Sequence, residues 1–139
     1  MAEINFFQED ISYQIEEEET LKAWVKKVIT NEGFSPGEVN YILCSDEYLH
    51  KINQEYLDHD TFTDIVTFDM SEDKEEISAD IFISIDRIKE NAVILKTKEQ
   101  DELHRVLIHG ILHLIGFNDG TPDEKSIMRK KEEACLSLR

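Results

Sequence analysis

The sequence predicts an α+β domain, with helices packed on a small, mostly parallel four-stranded sheet that has one antiparallel strand. Three observations lead there. Short β-branched runs alternate with stretches of helical period early in the chain, which favours parallel strands joined by right-handed crossovers. Two strand-like runs, 65–70 and 77–85, follow each other without a helix between them, which favours an antiparallel pair. Helical patterns then gather at the end, and the most apolar of them, within 102–119, is expected at the centre of the fold.

In chain order, residues 4–8 form an apolar run and a first strand. Residues 16–19 are all glutamate, where a helix N-terminus favours negative charge. Leu21, Trp24, Val25, Val28 and Ile29 then repeat at helical spacing, with Trp24 expected in the core, and Gly33 ends the pattern. Ser35-Pro36-Gly37 reads as a turn and 39–44 as a strand. Ser45 or Asp46 caps a second helix with Leu49, Ile52 and Tyr56 on one face, and 58–64 form a polar loop. In the 77–85 run Ile81, Ile83 and Ile85 point one way and Asp80, Phe82 and Ser84 the other. Asp86 is expected to cap a third helix with Ile88, Ala92 and Leu95 as its stripe, and 97–101 to be a break. Thr121 as N-cap, Pro122 at the first helical position and acids in the first turn open a last helix, with Ile127, Met128, Cys135 and Leu138 on its buried face. No repeat or linker divides the 139 residues, which predicts one domain over 1–139.

The net charge of −16 argues against broad non-specific binding to nucleic acid, DNA included, because that binding is driven by Lys and Arg displacing counterions. It leaves room for a local basic patch. Lys125, Arg129, Lys130 and Lys131 cluster near the C-terminus, and Lys22, Lys26 and Lys27 sit on the first helix; both groups read first as solvated faces. The two cysteines, Cys44 and Cys135, make neither a zinc spacing nor a disulfide framework and read as buried thiols. No signal segment and no membrane-length apolar run is present, so a soluble cytoplasmic protein is expected.

The chemistry concentrates in 102–119, E-L-H-R-V-L-I-H-G-I-L-H-L-I-G-F-N-D. With His109 at zero on a helical wheel, Glu102, Arg105 and His113 fall within about 40° of it. Leu103, Leu107, Ile111 and Leu114 fall on the opposite side and Val106, Ile108 and Leu112 on the flanks, so one polar strip carries two imidazoles a turn apart. Gly116 ends the helix in the left-handed conformation that glycine takes without penalty, and Asp119 can swing back. His-x3-His-x5-Asp is the spacing of a three-ligand metal site with an open fourth position, although two histidines at this spacing can also be hydrogen-bonded core residues. One zinc ion suits His109, His113 and Asp119; the carboxylate weakens its Lewis acidity relative to three imidazoles and leaves another divalent metal feasible. Helical zinc proteases place a glutamate after the first histidine as general base. Here Gly110 stands there, which removes the usual peptide-cleaving arrangement and allows close approach of another backbone or a substrate.

The motif H-G-I-L-H-L-I-G-F at 109–117 resembles the signature of the YbeY family, rRNA-maturation endoribonucleases in which H-G-x-L-H-L-x-G-Y is followed by D-H. N-Q-E-Y-L-D-H-D-T-F-T-D-I-V-T-F at 53–68 is similar to that family's N-x-x-Y-R-x-K-D-x-P-T-D-V-L-S-F, and A-D-I-F-I-S at 79–84 to its G-D-I-x-I-S strand. The resemblance implies a single metal-dependent hydrolase domain acting on single-stranded rRNA, with roles in 16S 3′-end maturation and ribosome quality control. It implies rRNA, the small ribosomal subunit and ribosome-assembly factors as partners. The family's third histidine falls on Asp119, its arginine after the tyrosine on Leu57, and its lysine on His59. If that arginine holds a phosphate, Arg105 and His59 are the replacement candidates for a catalytic role. Arg105 is equally a structural ion pair with Glu102 or another acid, and His59 a solvent-exposed loop residue. Thr63 and Asp64 either line the substrate cleft or serve the turn. No general base is identifiable. Two other readings stand beside the nuclease: a metal-stabilised ribosome-assembly module that does not cut RNA, and a small hydrolase with a non-RNA substrate.

Overall fold

The computed structural model describes residues 2–57 and 63–139. The elements run β1 (Glu3–Gln8), α1 (Glu18–Asn31), β2 (Ser35–Cys44), α2 (Asp46–Leu57), β3 (Ile65–Asp69), β4 (Glu76–Ser84), α3 (Ile85–Leu95), α4 (Glu99–Ile115) and α5 (Pro122–Leu136). The sheet order is β1-β2-β4-β3. β1 and β4 both run parallel to β2, and β3 returns antiparallel to β4 as the edge strand. The expected α+β class and mixed sheet are therefore present.

Alternation along the strands sorts their residues to two faces. Tyr41, Leu43, Ile81 and Ile83 are fully buried on the face that packs against α1, α3, α4 and α5. Phe82, Val66 and Phe68 point the other way, toward Leu49 and Ile52 of α2. Helix α4 lies at the centre of the first face. Its Leu103, Leu107, Ile108, Ile111 and Leu112 have no exposed surface. Each such side chain stabilises the packed state by about 1.5–3 kcal/mol. The sheet also grips α4 by a polar contact: the buried Tyr41 hydroxyl donates to the Leu107 carbonyl at 2.9 Å.

Gly110 shows why the helix can sit so close. A Cβ there would stand 3.0 Å from Ile65 Cδ1 and 3.4 Å from Ile81 Cδ1. The neighbour that the glycine admits is thus the sheet's own side chains.

Several expectations need correction. Ser35-Pro36-Gly37 is the irregular start of β2 rather than a turn, with a register shift between Pro36 and Val39. A bulge tolerates proline within a sheet, and a Cβ on Gly37 would meet the Ser78 hydroxyl and the Glu76 carboxylate, so a larger residue would have to displace them. Ser84 caps α3, its hydroxyl accepting from the Arg87 N–H, while Asp86 accepts from the Asp46 N–H at the start of α2. Helix α4 begins at Glu99, so the break before it is shorter and is made by Lys96 in the left-handed conformation. Ile127 and Leu138 are exposed, and so are Tyr56 and Leu95. The buried stripe of α5 is Met128, Glu132 and Cys135, in which an acid occupies an inward position. Other features stand as read. Trp24 is buried and donates to the Cys135 carbonyl. Ser45 caps α2 through the Tyr48 N–H. Thr121 and Glu124 form a capping box on α5. Among the described residues no helix is long and apolar enough to cross a membrane.

Tyr41→Phe should lower stability by about 0.5–1.5 kcal/mol, the net worth of one such hydrogen bond, with the slope of urea unfolding unchanged. His104 on α4 supplies a pH-dependent test. Its Nδ1 accepts from the Arg139 guanidinium at 2.7 Å, and its buried Nε2 has no partner. Burial, with the Arg139 charge adding to it, brings the imidazole from 6.5 down to about 4 despite Asp101. The folded state refuses a proton that the unfolded state accepts, so stability present above pH 6.5 is lost as pH falls toward 4. Over that window the melting temperature of His104→Phe should fall less than that of the wild type.

Candidate metal centre

The site is built by the end of α4 and the chain just beyond it. His109 and His113, one turn apart, hold their rings 4.6 Å centroid to centroid and nearly perpendicular. Gly116 takes φ +124°, its N–H donating to the His113 carbonyl and that of Phe117 to the Leu112 carbonyl. This pair of bonds stops the helix and reverses the chain. The reversal carries Asp119 back across the turn: Oδ2 lies 3.3 Å from His109 Nε2 and Oδ1 3.5 Å from His113 Nε2. One ligand atom from each of the three residues lies within 4.8 Å of the others.

Helix α5 supplies what sequence reasoning missed. The Glu132 carboxylate, almost wholly buried, meets His109 Nδ1 at 2.6 Å. Arg105 donates to Glu132 through one guanidinium nitrogen at 3.2 Å and to Glu102 through two others at 2.9 and 2.6 Å. Burial on its own would raise the Glu132 carboxyl, but the His109 hydrogen bond and the Arg105 charge outweigh it and hold the pKa below the ordinary value. Arg105 is likewise held above its ordinary pKa, the Glu102 and Glu132 contacts outweighing its burial.

An ionised Glu132 requires a proton on His109 Nδ1. In the neutral ring the Nε2 lone pair then faces Asp119, the tautomer a metal ligand needs. Charge points the same way. Arg105 pairs with Glu102 and Glu132, while among the described residues no Lys or Arg pairs with Asp119, and exposed Lys125 and Arg129 only line the neighbouring cavity. The uncompensated Asp119 carboxylate suits a divalent ion. Two imidazoles and a carboxylate, converging from a rigid helix and a fixed turn, fit such an ion with room for a further ligand.

The three predicted ligands are therefore brought together. Arg105 borders a cavity with His109 and Asp119, but its guanidinium is engaged by Glu102 and Glu132. Thr63 lines a cleft of about 620 Å³ with His109, His113, Asp119, Asn53 and Thr67. The Asp64 backbone carbonyl accepts from the Ser84 N–H at 3.0 Å, and the residue is not among those lining the cleft. His59 lies outside the described residues. Lys125 and Arg129 line a smaller cavity of about 240 Å³ that shares His109 and Asp119. The one sequence signal for Glu132 is its place, four residues after Met128 and three before Cys135, in an otherwise apolar stripe.

Comparison with known proteins settles the family. The model of the family described as Endoribonuclease YbeY matches residues 3–138. The chain belongs to the YbeY endoribonuclease family. It is 53% identical over 136 residues to the endoribonuclease YbeY of Cytophaga hutchinsonii, covering 98% of this chain and 95% of that one. It is 47% identical over 137 residues to that of Christiangramia forsetii, covering 99% and 94%. Its fold is similar to the solution structure of a Thermotoga maritima protein, with a TM-score of 0.65 at 26% identity, covering 98% of this chain and 91% of that one. The YbeY-like H-G-x-L-H-L-x-G run is thus the helix end that presents the two imidazoles, and its final glycine is the residue that lets Asp119 return.

Glu132→Gln removes the ionised acceptor of the His109 Nδ1 proton. It should weaken zinc binding about 10–100-fold, the usual effect of losing such a partner, in a chelator-competition titration on protein shown to be folded.

Proposed function

We propose that this chain is a zinc-dependent endoribonuclease, a single hydrolase domain that cuts single-stranded RNA in 16S rRNA 3′-end maturation and ribosome quality control. The small ribosomal subunit and its assembly factors are its partners, and the cytoplasm its place. The observation that carries the proposal is the His109–His113–Asp119 cluster in an open cleft, backed by buried Glu132, in a chain of this family. Zinc is favoured by two imidazole donors on a compact set of three ligands.

A bound ion supplies Lewis-acid polarisation of a phosphoryl oxygen and acidifies a water. The chain's own residues do the rest. His109 and His113 would hold the ion at a fixed place, because they stand on a helix whose other faces are locked in the core. Asp119 adds a third anchor and offers a carboxylate oxygen close to any proton released there. Glu132 keeps the His109 ring from rotating or taking the wrong tautomer. With Gly110 next after His109 in the chain, the site lacks the helix-borne glutamate that a helical zinc protease uses as base.

Purified protein should cleave a single-stranded fragment spanning the 16S rRNA 3′ end, and both chelation and His113→Ala should reduce the rate at least about a hundredfold, the order expected when electrostatic stabilisation of the reacting group is removed. Undiminished cleavage by a folded His113→Ala would sink the assignment. Normal rRNA 3′ ends in cells carrying only Asp119→Ala would favour an assembly role without cutting.

A further inference from the structure

Resting on the nuclease reading, we propose that the open edge of β3 is a rail that holds the RNA strand through its phosphates, using the outward backbone N–H groups of Ile65 and Thr67.

The register fixes which groups face outward. In an antiparallel ladder, hydrogen-bonded pairs alternate with pairs whose N–H and C=O groups point away from the partner strand. Ser84 donates to the Asp64 carbonyl and Met70 to the Ser78 carbonyl, so positions 64, 66, 68 and 70 are the bonded ones. Ile65, Thr67 and Asp69 therefore direct their N–H groups to the open side of the edge strand. Among the described residues none of these three N–H groups has a recorded acceptor.

The same three positions face the metal centre. Ile65 Cδ1 lies against Gly110, the residue between the two histidines, and Ile65, Thr67 and Asp69 line the cleft with His109 and His113. A strand that brings a phosphate to the imidazoles from this side crosses the edge of β3.

Charge decides what such a rail must be made of. No Lys or Arg is among the described residues that line this cleft. The chain has 31 acids against 15 basic residues. Phosphates held here need uncharged donors, and backbone N–H groups serve, as they do at helix N-termini. Outward groups recur every second residue, about 7 Å apart along a strand, which suits an extended chain and reads no base.

Proline offers a clean test, because at an outward edge position it removes a donor without removing a ladder bond. Binding of a fluorescent, single-stranded 2′-O-methyl RNA to the zinc-loaded full chain would be followed by anisotropy. Thr67→Pro should weaken it about tenfold or more, the order for a hydrogen bond to a charged group, and should weaken it more than Thr67→Val, which keeps the N–H. Should Thr67→Pro fail to fold, amide exchange on the wild type gives the same answer: the RNA should slow exchange at Ile65 and Thr67 and leave Val66 and Phe68 unchanged. Equal binding by a folded Thr67→Pro, no protection of the two amides, or protection by an extended peptide but not by RNA would each overturn the rail. Failure of the nuclease reading shows separately, as wild-type protein that binds the strand but does not cleave unmodified RNA.

Discussion

The short contact between His109 and the buried Glu132 carboxylate is what the rest of the site depends on. A carboxylate deep in a core is costly unless it is fully paired. Here one oxygen receives His109 and the other Arg105, and Arg105 is itself shared with Glu102. Removing any member leaves a buried charge with one partner fewer. The network also joins the two helices that frame the centre, since Glu132 belongs to α5 and the other three residues to α4. One interaction therefore orients the imidazole and adds to the packing of Met128 and Cys135 that docks α5.

Much of this was legible in the sequence because it is local. The two imidazoles on one strip follow from the helical period, and the return of Asp119 follows from the stop at Gly116. The strand and helix order followed from periodicity, and the antiparallel edge from the absence of a helix between β3 and β4. What was not legible depends on long-range packing. Glu132 reads as one more acid among 31 until α5 is docked on α4. Arg105 was readable as lying on the strip, but whether it meets a phosphate or an acid depended on that same docking. The Ser35–Gly37 segment looked like a turn because proline and glycine favour turns. Its place in β2 comes from pairing with β4, and the glycine leaves room for the Ser78 hydroxyl and the Glu76 carboxylate. Ile127 reads as inward because it is apolar, and the helix instead buries the stripe of Met128, Glu132 and Cys135.

The acidic charge and an RNA substrate are compatible because attraction is needed only locally. Acids at the centre are matched by Arg105 and by the charge of a divalent ion. Exposed Lys125 and Arg129 adjoin His109 and Asp119 from α5. On the β3 side the available donors are neutral. Repulsion over the remaining surface disfavours long or double-stranded nucleic acid, which carries a denser phosphate array, and leaves short single strands as the better fit.

The central claim is that α4, its glycine stop and Glu132 together make one metal site. Anomalous diffraction from zinc-loaded crystals at the zinc edge tests it most directly. The account predicts a single strong peak about 2.0–2.2 Å from His109 Nε2, His113 Nε2 and an Asp119 oxygen, with His109 Nδ1 still on Glu132. A peak bound elsewhere, or ligation through His109 Nδ1 with Glu132 displaced, would contradict it.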